Sequence, residues 1–151
     1  MSTSCFACTQ TAGLPSLPPR EAVIVEDGWR VAHAFNSALE GWLVVLPLRH
    51  VTSMDELTPT EAEALGSILR RASRALTTVV GSRKAYFMFF AEADGFAHLH
   101  VHVVPRMEWF TQDQRGPRVF AFLGGPESEW VNEHDRDDLA LRLRAALAVD
   151  P

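Results

Sequence analysis

Three histidines alternate with apolar residues in one short run, His98-Leu99-His100-Val101-His102-Val103-Val104. Successive side chains of a β-strand point to opposite faces, so the alternation predicts a strand with all three imidazoles on one face. At about 3.3 Å of rise per residue, neighbouring imidazoles would lie about 6.6 Å apart. Three of the six histidines fall within five residues. This face is therefore where we expect a chemical function.

The chemistry of the histidine run alone leaves two other interpretations open. The free face of an antiparallel sheet is commonly polar, so the run could be a solvent-facing strand, although solvation explains three imidazoles on one face poorly. The three could also bind one metal ion. A spacing of about 6.6 Å is long against Zn–N bonds of about 2 Å, which weighs against that arrangement.

Length and composition are typical of an ordinary globular domain. The 151 residues are enough for a single domain spanning 1–151 with its own hydrophobic core. Hydrophobic residues make up 47% and charged residues 22%, as in soluble proteins. The net charge of -5 argues against general nucleic-acid binding, which requires a basic face. It is compatible with a small phosphorylated ligand.

The sequence predicts neither a membrane span nor an export signal. No apolar run approaches the ~18 residues that cross a bilayer. The first residues, Met1-Ser2-Thr3-Ser4-Cys5, lack the basic and apolar regions of a signal peptide. We therefore expect a cytoplasmic protein with no nucleic-acid or membrane partner, in which both cysteines are reduced.

Strand and helix patterns together predict an α+β fold. Thr58, Pro59 and Glu61 form a capped helix start, and Gly81 is a suitable end for the long helix between them. A second helix is predicted over Asp137–Ala148. Strands are predicted over residues 22–26, 29–35, 42–46, 85–91 and 98–104. The expected architecture is an antiparallel sheet of about five strands, one long crossover helix and a C-terminal helix.

Residues 1–20 and 106–134 lack such a pattern. Residues 1–20 are rich in proline and are expected to form an extended, irregular arm. Residues 107–151 form a C-terminal extension whose role the pattern does not define. Within the arm, the Cys5-x2-Cys8 spacing suits one metal ion, but a tetrahedral site needs two more ligands. Two small buried apolar residues are the alternative interpretation.

The run His98–Val104 resembles in full the motif of the histidine triad (HIT) superfamily, His-φ-His-φ-His-φ-φ, where φ is apolar. The similarity in order and spacing covers approximately residues 4–106. Gly41–His50 looks like the family's Gly-His-hydrophobic-Pro-basic-His segment. The resemblance implies a HIT-like fold, a homodimer, and a purine nucleotide or dinucleotide as substrate.

The resemblance also implies roles for individual residues. His100, the middle histidine, would be the nucleophile that forms a covalent nucleotidyl-imidazole intermediate. His102 would bind the α-phosphate and stabilise its developing charge. Asn36 would bind the ribose hydroxyls, with an Asx turn as the alternative. Phe6 and Phe35 are candidates for the apolar base pocket, with the hydrophobic core as the alternative.

A branch of the family that includes the related uridylyltransferases implies the two missing metal ligands. The ion would be a structural Zn²⁺ that anchors the N-terminal arm to the sheet. Two histidines outside this pattern, His33 and His134, are expected to be incidental. The implied Cys2His2 set is Cys5, Cys8, His50 and His98.

Two positions depart from the family pattern. Trp42 stands where the family commonly has histidine, which alters the expected surroundings of His100. Gly95 stands in the loop Glu92–Ala97 where a phosphate-binding hydroxyl is usual, so backbone N–H groups are expected to substitute. Three functions stay open: hydrolysis of nucleoside phosphoramidates or dinucleoside polyphosphates, nucleotidyl transfer such as phosphorolysis, and a zinc-stabilised nucleotide-binding module with little catalysis.

Overall fold

The computed structural model describes residues 5–149. Its centre is a five-stranded antiparallel sheet in the order β1-β2-β3-β5-β4. The strands are β1 (Ile24–Glu26), β2 (Trp29–His33), β3 (Leu43–Pro47), β4 (Lys84–Phe89) and β5 (Val101–Arg106). The α-helices are α1 (Phe6–Thr11), α2 (Pro59–Val80) and α3 (Glu133–Ala148). Short 3-10 helices cover Pro19–Glu21, Met54–Glu56, Gln112–Gln114, Gly116–Phe122 and Glu127–Glu129.

Local sequence accounts for the first hairpin and for the long helix. Asp27 and Gly28 have φ of 48° and 83°, which the tight turn between β1 and β2 requires. At the start of α2, the Thr58 side chain accepts from the Glu61 N–H and the Glu61 carboxylate accepts from the Thr58 N–H. Gly81 ends α2 in the left-handed region at φ 72°. These boundaries are as predicted.

The sheet separates two layers, and alternation along β5 decides what each layer contains. Val101 and Val103 point into the main core, where α2 and α3 pack on the sheet. His100 and His102 point to the opposite face. A smaller apolar cluster, which includes Phe110 of the C-terminal extension, covers part of that second face. The α+β fold, its strand number and its two main helices are confirmed.

Most predicted strand ends are within two residues of the observed ones, and three larger predictions are wrong, each for a local reason. The arm is not irregular throughout, because Cys5 caps helix α1 by accepting from the Cys8 N–H. Helix α3 begins four residues before Asp137, because Asn132 caps it. Strand β5 begins at Val101 rather than at His98. Residues 1–4 of the predicted arm and 150–151 of the extension lie outside the described residues.

The start of β5 follows from where its neighbour ends. Strand β3 stops at Pro47, and beyond that point the Leu99 N–H donates to the Val51 carbonyl. The segment around His98 and His100 is thus held by individual hydrogen bonds rather than by regular strand pairing. No helix within residues 5–149 is long and apolar enough to cross a membrane.

Candidate functional site

A cavity of about 550 Å³ lies on the histidine face of the sheet. His98, His100 and His102 all line it, so the sequence correctly predicts that the three histidines share a face. Most of the other lining side chains are apolar, which is typical of a site that binds a small molecule. The rings of His100 and His102 meet edge to face with centroids 4.9 Å apart, closer than the predicted 6.6 Å.

The hydrogen bond of His100 defines which ring nitrogen is free. Its Nδ1 lies 2.8 Å from the carbonyl oxygen of His98, which can only accept, so Nδ1 carries the proton and donates. In a neutral imidazole the other nitrogen then holds a lone pair. Nε2 of His100 is therefore the ring nitrogen with a free lone pair, on a half-buried side chain that lines the cavity.

Trp42 contacts His102 rather than His100. The indole Nε1, which can only donate, lies 3.0 Å from His102 Nδ1, so this nitrogen accepts. Burial lowers the pKa of His102 to about 4, and His100 beside it adds to the shift. The ring is therefore neutral near pH 7, with its proton on Nε2. The tryptophan at this position thus fixes His102 as an N–H donor.

The four predicted metal ligands lie in one cluster. Their ligand atoms all lie within 4.8 Å of one another. The Nδ1 atoms of His50 and His98 are 3.3 Å apart, and the Cys8 Sγ is 3.3 Å and 3.6 Å from them. Cys5 Sγ lies 3.6 Å from His98 Nδ1. The sequence therefore correctly predicts that these side chains are positioned to bind a metal ion.

The ring of His98 is oriented by a backbone contact. Its Nε2 lies 2.9 Å from the Pro47 carbonyl oxygen and donates to it, which leaves the Nδ1 lone pair for the cluster. Burial lowers the pKa of His98, so the ring is neutral as a ligand must be. A partner of this kind on the second nitrogen is usual for metal-bound histidine. Because the His98 carbonyl also accepts from His100, one residue joins the cluster to His100.

Aromatic rings form one wall of the cavity. Phe6 packs on Phe35 and on Phe96, each with centroids 5.3 Å apart, and Trp130 meets Phe35 edge to face at 6.0 Å. The two predicted base-pocket residues, Phe6 and Phe35, both line the cavity, but their direct contact makes them a continuous wall rather than two sides of a slot. Phe96 lines the cavity and Trp130 supports Phe35 from outside the lining; neither could be predicted, because both lie in segments without periodicity.

Asn36 lies at the rim of this wall. Its backbone carbonyl accepts from the Gly124 N–H at 2.9 Å, which ties the extension to the site. Its side chain lines the cavity and makes no hydrogen bond within residues 5–149. The neighbouring Ser37 makes the local turn instead, with its hydroxyl bonded to Leu39. The Asn36 amide is thus available to a ligand.

His33 is not incidental, contrary to the sequence analysis. Its Nδ1 donates to the Ala34 carbonyl at 2.8 Å and its Nε2 accepts from the Gly41 N–H at 3.0 Å, which holds the loop before β3. Burial lowers its pKa to about 4, so it is a neutral structural residue. His134, in contrast, lies exposed on α3 and does not line the cavity.

The loop before the histidines is exposed and acidic, as its sequence indicates. Gly95 takes a φ of 80° there, which suits glycine. The Phe96 N–H donates to the Ala93 carbonyl and is used within the loop. Glu92 lines the cavity rim, where a carboxylate disfavours additional negative charge on a ligand.

Comparisons with known proteins point to one family. The HIT domain model matches residues 18–109. A Zn-bound histidine triad family protein from Mycobacterium smegmatis is 20% identical, with a TM-score of 0.68 and coverage of 98% of this chain and 96% of that one. A hypothetical histidine triad nucleotide-binding protein from Sulfolobus tokodaii is 16% identical, with a TM-score of 0.69 and coverage of 93% and 92%.

A uridylyltransferase structure is also similar, with 20% identity and a TM-score of 0.69. It covers 99% of this chain, but this chain covers only 47% of the uridylyltransferase. These identities are low, so the likenesses concern the fold. A comparison with curated proteins returns no match.

Proposed function

The chain belongs to the histidine triad (HIT) domain family, and we propose that it hydrolyses nucleoside phosphoramidates or dinucleoside polyphosphates at the α-phosphate. The reaction proceeds through a covalent nucleotidyl intermediate on His100. The observation that carries the proposal is the bond from His100 Nδ1 to the His98 carbonyl, because it leaves the Nε2 lone pair free in the cavity. Purine nucleotides and dinucleotides are the substrate class.

In the first step, His100 Nε2 attacks the α-phosphorus. A P–N bond to the imidazole forms, and the bond to the leaving amine or phosphate breaks. A leaving amine takes its proton from solvent. The Nδ1–H bond to a carbonyl stabilises the positive charge that the ring gains. His102, held as an N–H donor by Trp42, is placed to bind a phosphate oxygen while charge develops there.

In the second step, water attacks the α-phosphorus, the P–N bond breaks, and the nucleoside monophosphate leaves. An imidazole that carries its proton on Nδ1 is a good leaving group in this step. If inorganic phosphate attacks instead, the product is a nucleoside diphosphate and the enzyme is a transferase. The likeness to a uridylyltransferase supports this second candidate. Both reactions use the same intermediate.

Three further side chains complete the proposed nucleotide site. The unpartnered Asn36 amide binds the ribose hydroxyls. The wall formed by Phe6 and Phe35 packs against the base, and such base–aromatic contacts are worth about 1–3 kcal/mol per base in single-strand binding proteins.

We propose that the ion in the Cys2His2 cluster is zinc. A tetrahedral Zn²⁺ with Zn–N bonds of about 2.05 Å and Zn–S bonds of about 2.3 Å places N and N about 3.3 Å apart and S and N about 3.6 Å apart. The cluster shows 3.3 Å for N to N and 3.3–3.6 Å for S to N. With four protein ligands the ion has no open position, so it stabilises the fold and does not take part in the reaction. Reduced thiols in the ligand set support a cytoplasmic location.

We propose a homodimer that extends the sheet across β4. This strand lies at the edge of the sheet, and Phe87 and Phe89 on it are 43% and 39% exposed. An apolar edge strand of this kind is suited to pairing with a second copy. Sedimentation equilibrium should give twice the chain mass. A single species of 16.8 kDa at micromolar concentration would contradict the dimer.

The proposed function is tested by product analysis. Purified protein is incubated with adenosine and guanosine 5′-phosphoramidates and with the matching dinucleoside polyphosphates, with and without inorganic phosphate, and products are separated by HPLC. Release of nucleoside monophosphate supports hydrolysis, and release of nucleoside diphosphate only when phosphate is added supports transfer. If no product forms with any substrate, both hydrolysis and transfer are contradicted, and a nucleotide-binding module with little catalysis is the remaining function.

Replacing Trp42 by phenylalanine should reduce kcat/KM about tenfold, because His102 Nδ1 loses its buried donor and the ring tautomer is no longer fixed. The ¹⁵N chemical shifts of the His102 ring should change from those of a single Nε2–H tautomer to those of a mixture. The matched control is Trp109→Phe at an exposed tryptophan. Unchanged His102 shifts in Trp42→Phe would show that the tryptophan only fills space.

A further inference from the structure

A charged pair lines the cavity at a distance from the three histidines of the run. Glu21, at the end of a 3-10 helix, and Arg30, in β2, both line the cavity. Arg30 is only 2% exposed. Its Nη1 donates to the Glu21 backbone carbonyl at 2.6 Å and lies 3.6 Å from the Glu21 carboxylate. Its Nε has no hydrogen-bond partner within residues 5–149. A buried donor without an acceptor is costly, which points to a ligand that supplies one.

Glu21 lies among three arginines, and two carboxylates of α3 lie close to the same arginines. Arg136 of α3 is also buried, and its Nε and Nη1 have no partner among residues 5–149. Arg20 is paired with two carboxylates of α3. The charges of this group are therefore matched, but the Arg30 Nε–H and two N–H groups of Arg136 have no acceptor among residues 5–149. An acceptor-bearing ligand group is favoured at this end of the cavity.

Strand pairing defines how far this pair lies from the nucleophile. Arg30 in β2 pairs with Leu46 in β3. Val45, one residue before Leu46, pairs with Val101, the first residue of β5, so His100 immediately before β5 lies near Leu46 on the side away from β2. Because neighbouring strands lie about 4.8 Å apart, the backbones at Arg30 and His100 are separated by two strand spacings, about 10 Å. A nucleotide extends over a comparable length from its α-phosphate to the far edge of its base.

No large side chain of β2 separates the pair from the rest of the cavity. Ala32 follows Arg30 on the same face of the strand, and Ala34 follows Ala32. Both alanines line the cavity. A base that enters past the aromatic wall can thus reach the charged end.

We propose that Glu21 and Arg30 read the base of the substrate and favour guanine over adenine. The inference rests on the proposed function, because it places the α-phosphate at His100. The outer edge of guanine carries an acceptor, O6, beside two donors, N1–H and the 2-amino group. A carboxylate accepts two parallel N–H bonds, and a guanidinium donates to O6. Adenine places a lone pair on N1, which the Glu21 carboxylate repels.

The first test varies the ligand and leaves the protein unchanged. Calorimetry on the intact chain should show GMP binding about tenfold tighter than AMP, a difference of about 1.4 kcal/mol. IMP, which keeps O6 and N1–H but lacks the 2-amino group, should bind with intermediate affinity. Equal affinities, or tighter binding of AMP, would overturn the inference.

The second test varies the pair. Glu21→Gln replaces one acceptor oxygen by a donor, and Arg30→Met removes the guanidinium at similar length, so both should lower the GMP-to-AMP affinity ratio about fivefold or more. The matched control is Glu92→Gln, which neutralises a cavity carboxylate on the exposed loop before the histidines and should keep the ratio. Thermal unfolding confirms that each variant is folded. An unchanged ratio in folded Glu21→Gln and Arg30→Met would overturn the inference.

Binding and turnover together separate this inference from the proposed function. Turnover with no base preference would overturn only the role of Glu21 and Arg30. A GMP preference without turnover of guanosine 5′-phosphoramidate would overturn only the proposed reaction. Failure of GMP, IMP and AMP alike to bind would overturn both.

Discussion

Replacing His100 by alanine should lower kcat by at least about a thousandfold, since the variant has no nucleophile at the α-phosphate. His100 lines the cavity, and within residues 5–149 its Nδ1 makes one hydrogen bond, to a backbone carbonyl. The substitution therefore leaves the main core untouched. Nucleotide affinity should change little and the melting temperature should stay within a few degrees. HPLC product analysis and calorimetry measure the two effects on one preparation.

The matched control for this variant is His134→Ala. His134 lies exposed on α3 and does not line the cavity. Wild-type turnover is expected for it. A His100→Ala protein that is folded, binds nucleotide and turns over at more than about a tenth of the wild-type rate would contradict the assigned nucleophile.

Replacing Cys8 by serine should release the metal and destabilise the fold. The cluster joins α1, the segment after β3 and the segment before β5. Structural zinc contributes about 10–16 kcal/mol of apparent binding free energy in zinc-finger peptides, and loss of even a few kcal/mol lowers Tm by about 10 °C in a chain of this size. Turnover should also fall, because the His98 carbonyl that orients His100 is no longer anchored.

Metal analysis and thermal unfolding test this prediction together. Wild-type protein should contain about one zinc per chain, and Cys8→Ser should contain none. Thr9→Ser is the matched control, at an exposed position on the same helix that is not a ligand. Metal-free wild-type protein with the same Tm as the metal-loaded form would refute a structural ion.

The sequence contains the information for the sheet because side-chain alternation and turn chemistry are local. The valines and histidines of the run 98–104 divide between core and cavity as predicted, and Asp27-Gly28 forms the predicted turn. The predicted distance between the rings of His100 and His102 was too long. Strand geometry defines backbone positions only, and the two rings lean toward each other.

The metal ligands were predicted from the family resemblance and not from a local sequence pattern. Cys8 and His98 are separated by 90 residues, so nothing in their spacing predicts that they meet. Their contact was predicted only from the order of motifs that the chain shares with the HIT family. Helix α1 was not predicted, because it has only six residues and its N-cap is a cysteine of the metal cluster rather than a usual capping residue.

The remaining features depend on contacts between segments that are distant in sequence. The sequence shows that Trp42 departs from the family pattern. Its role follows only from the structure, which places its indole N–H against His102. Arg30 lies in a strand whose pattern predicts no function, and only the fold of the preceding segment brings Glu21 against it. The role of such residues depends on the tertiary structure, because a single charged residue in a strand does not by itself predict a function.

The central claim is a covalent bond between the nucleotide and His100, and mass spectrometry tests it most directly. Protein mixed with adenosine or guanosine 5′-phosphoramidate is quenched in alkali, where phosphoramidate bonds to histidine persist, and digested. The peptide that carries residues 98–102 should gain the mass of one nucleoside monophosphate minus water, with fragment ions that assign it to His100. Product formation with no such adduct, or an adduct on a different residue, would contradict the account.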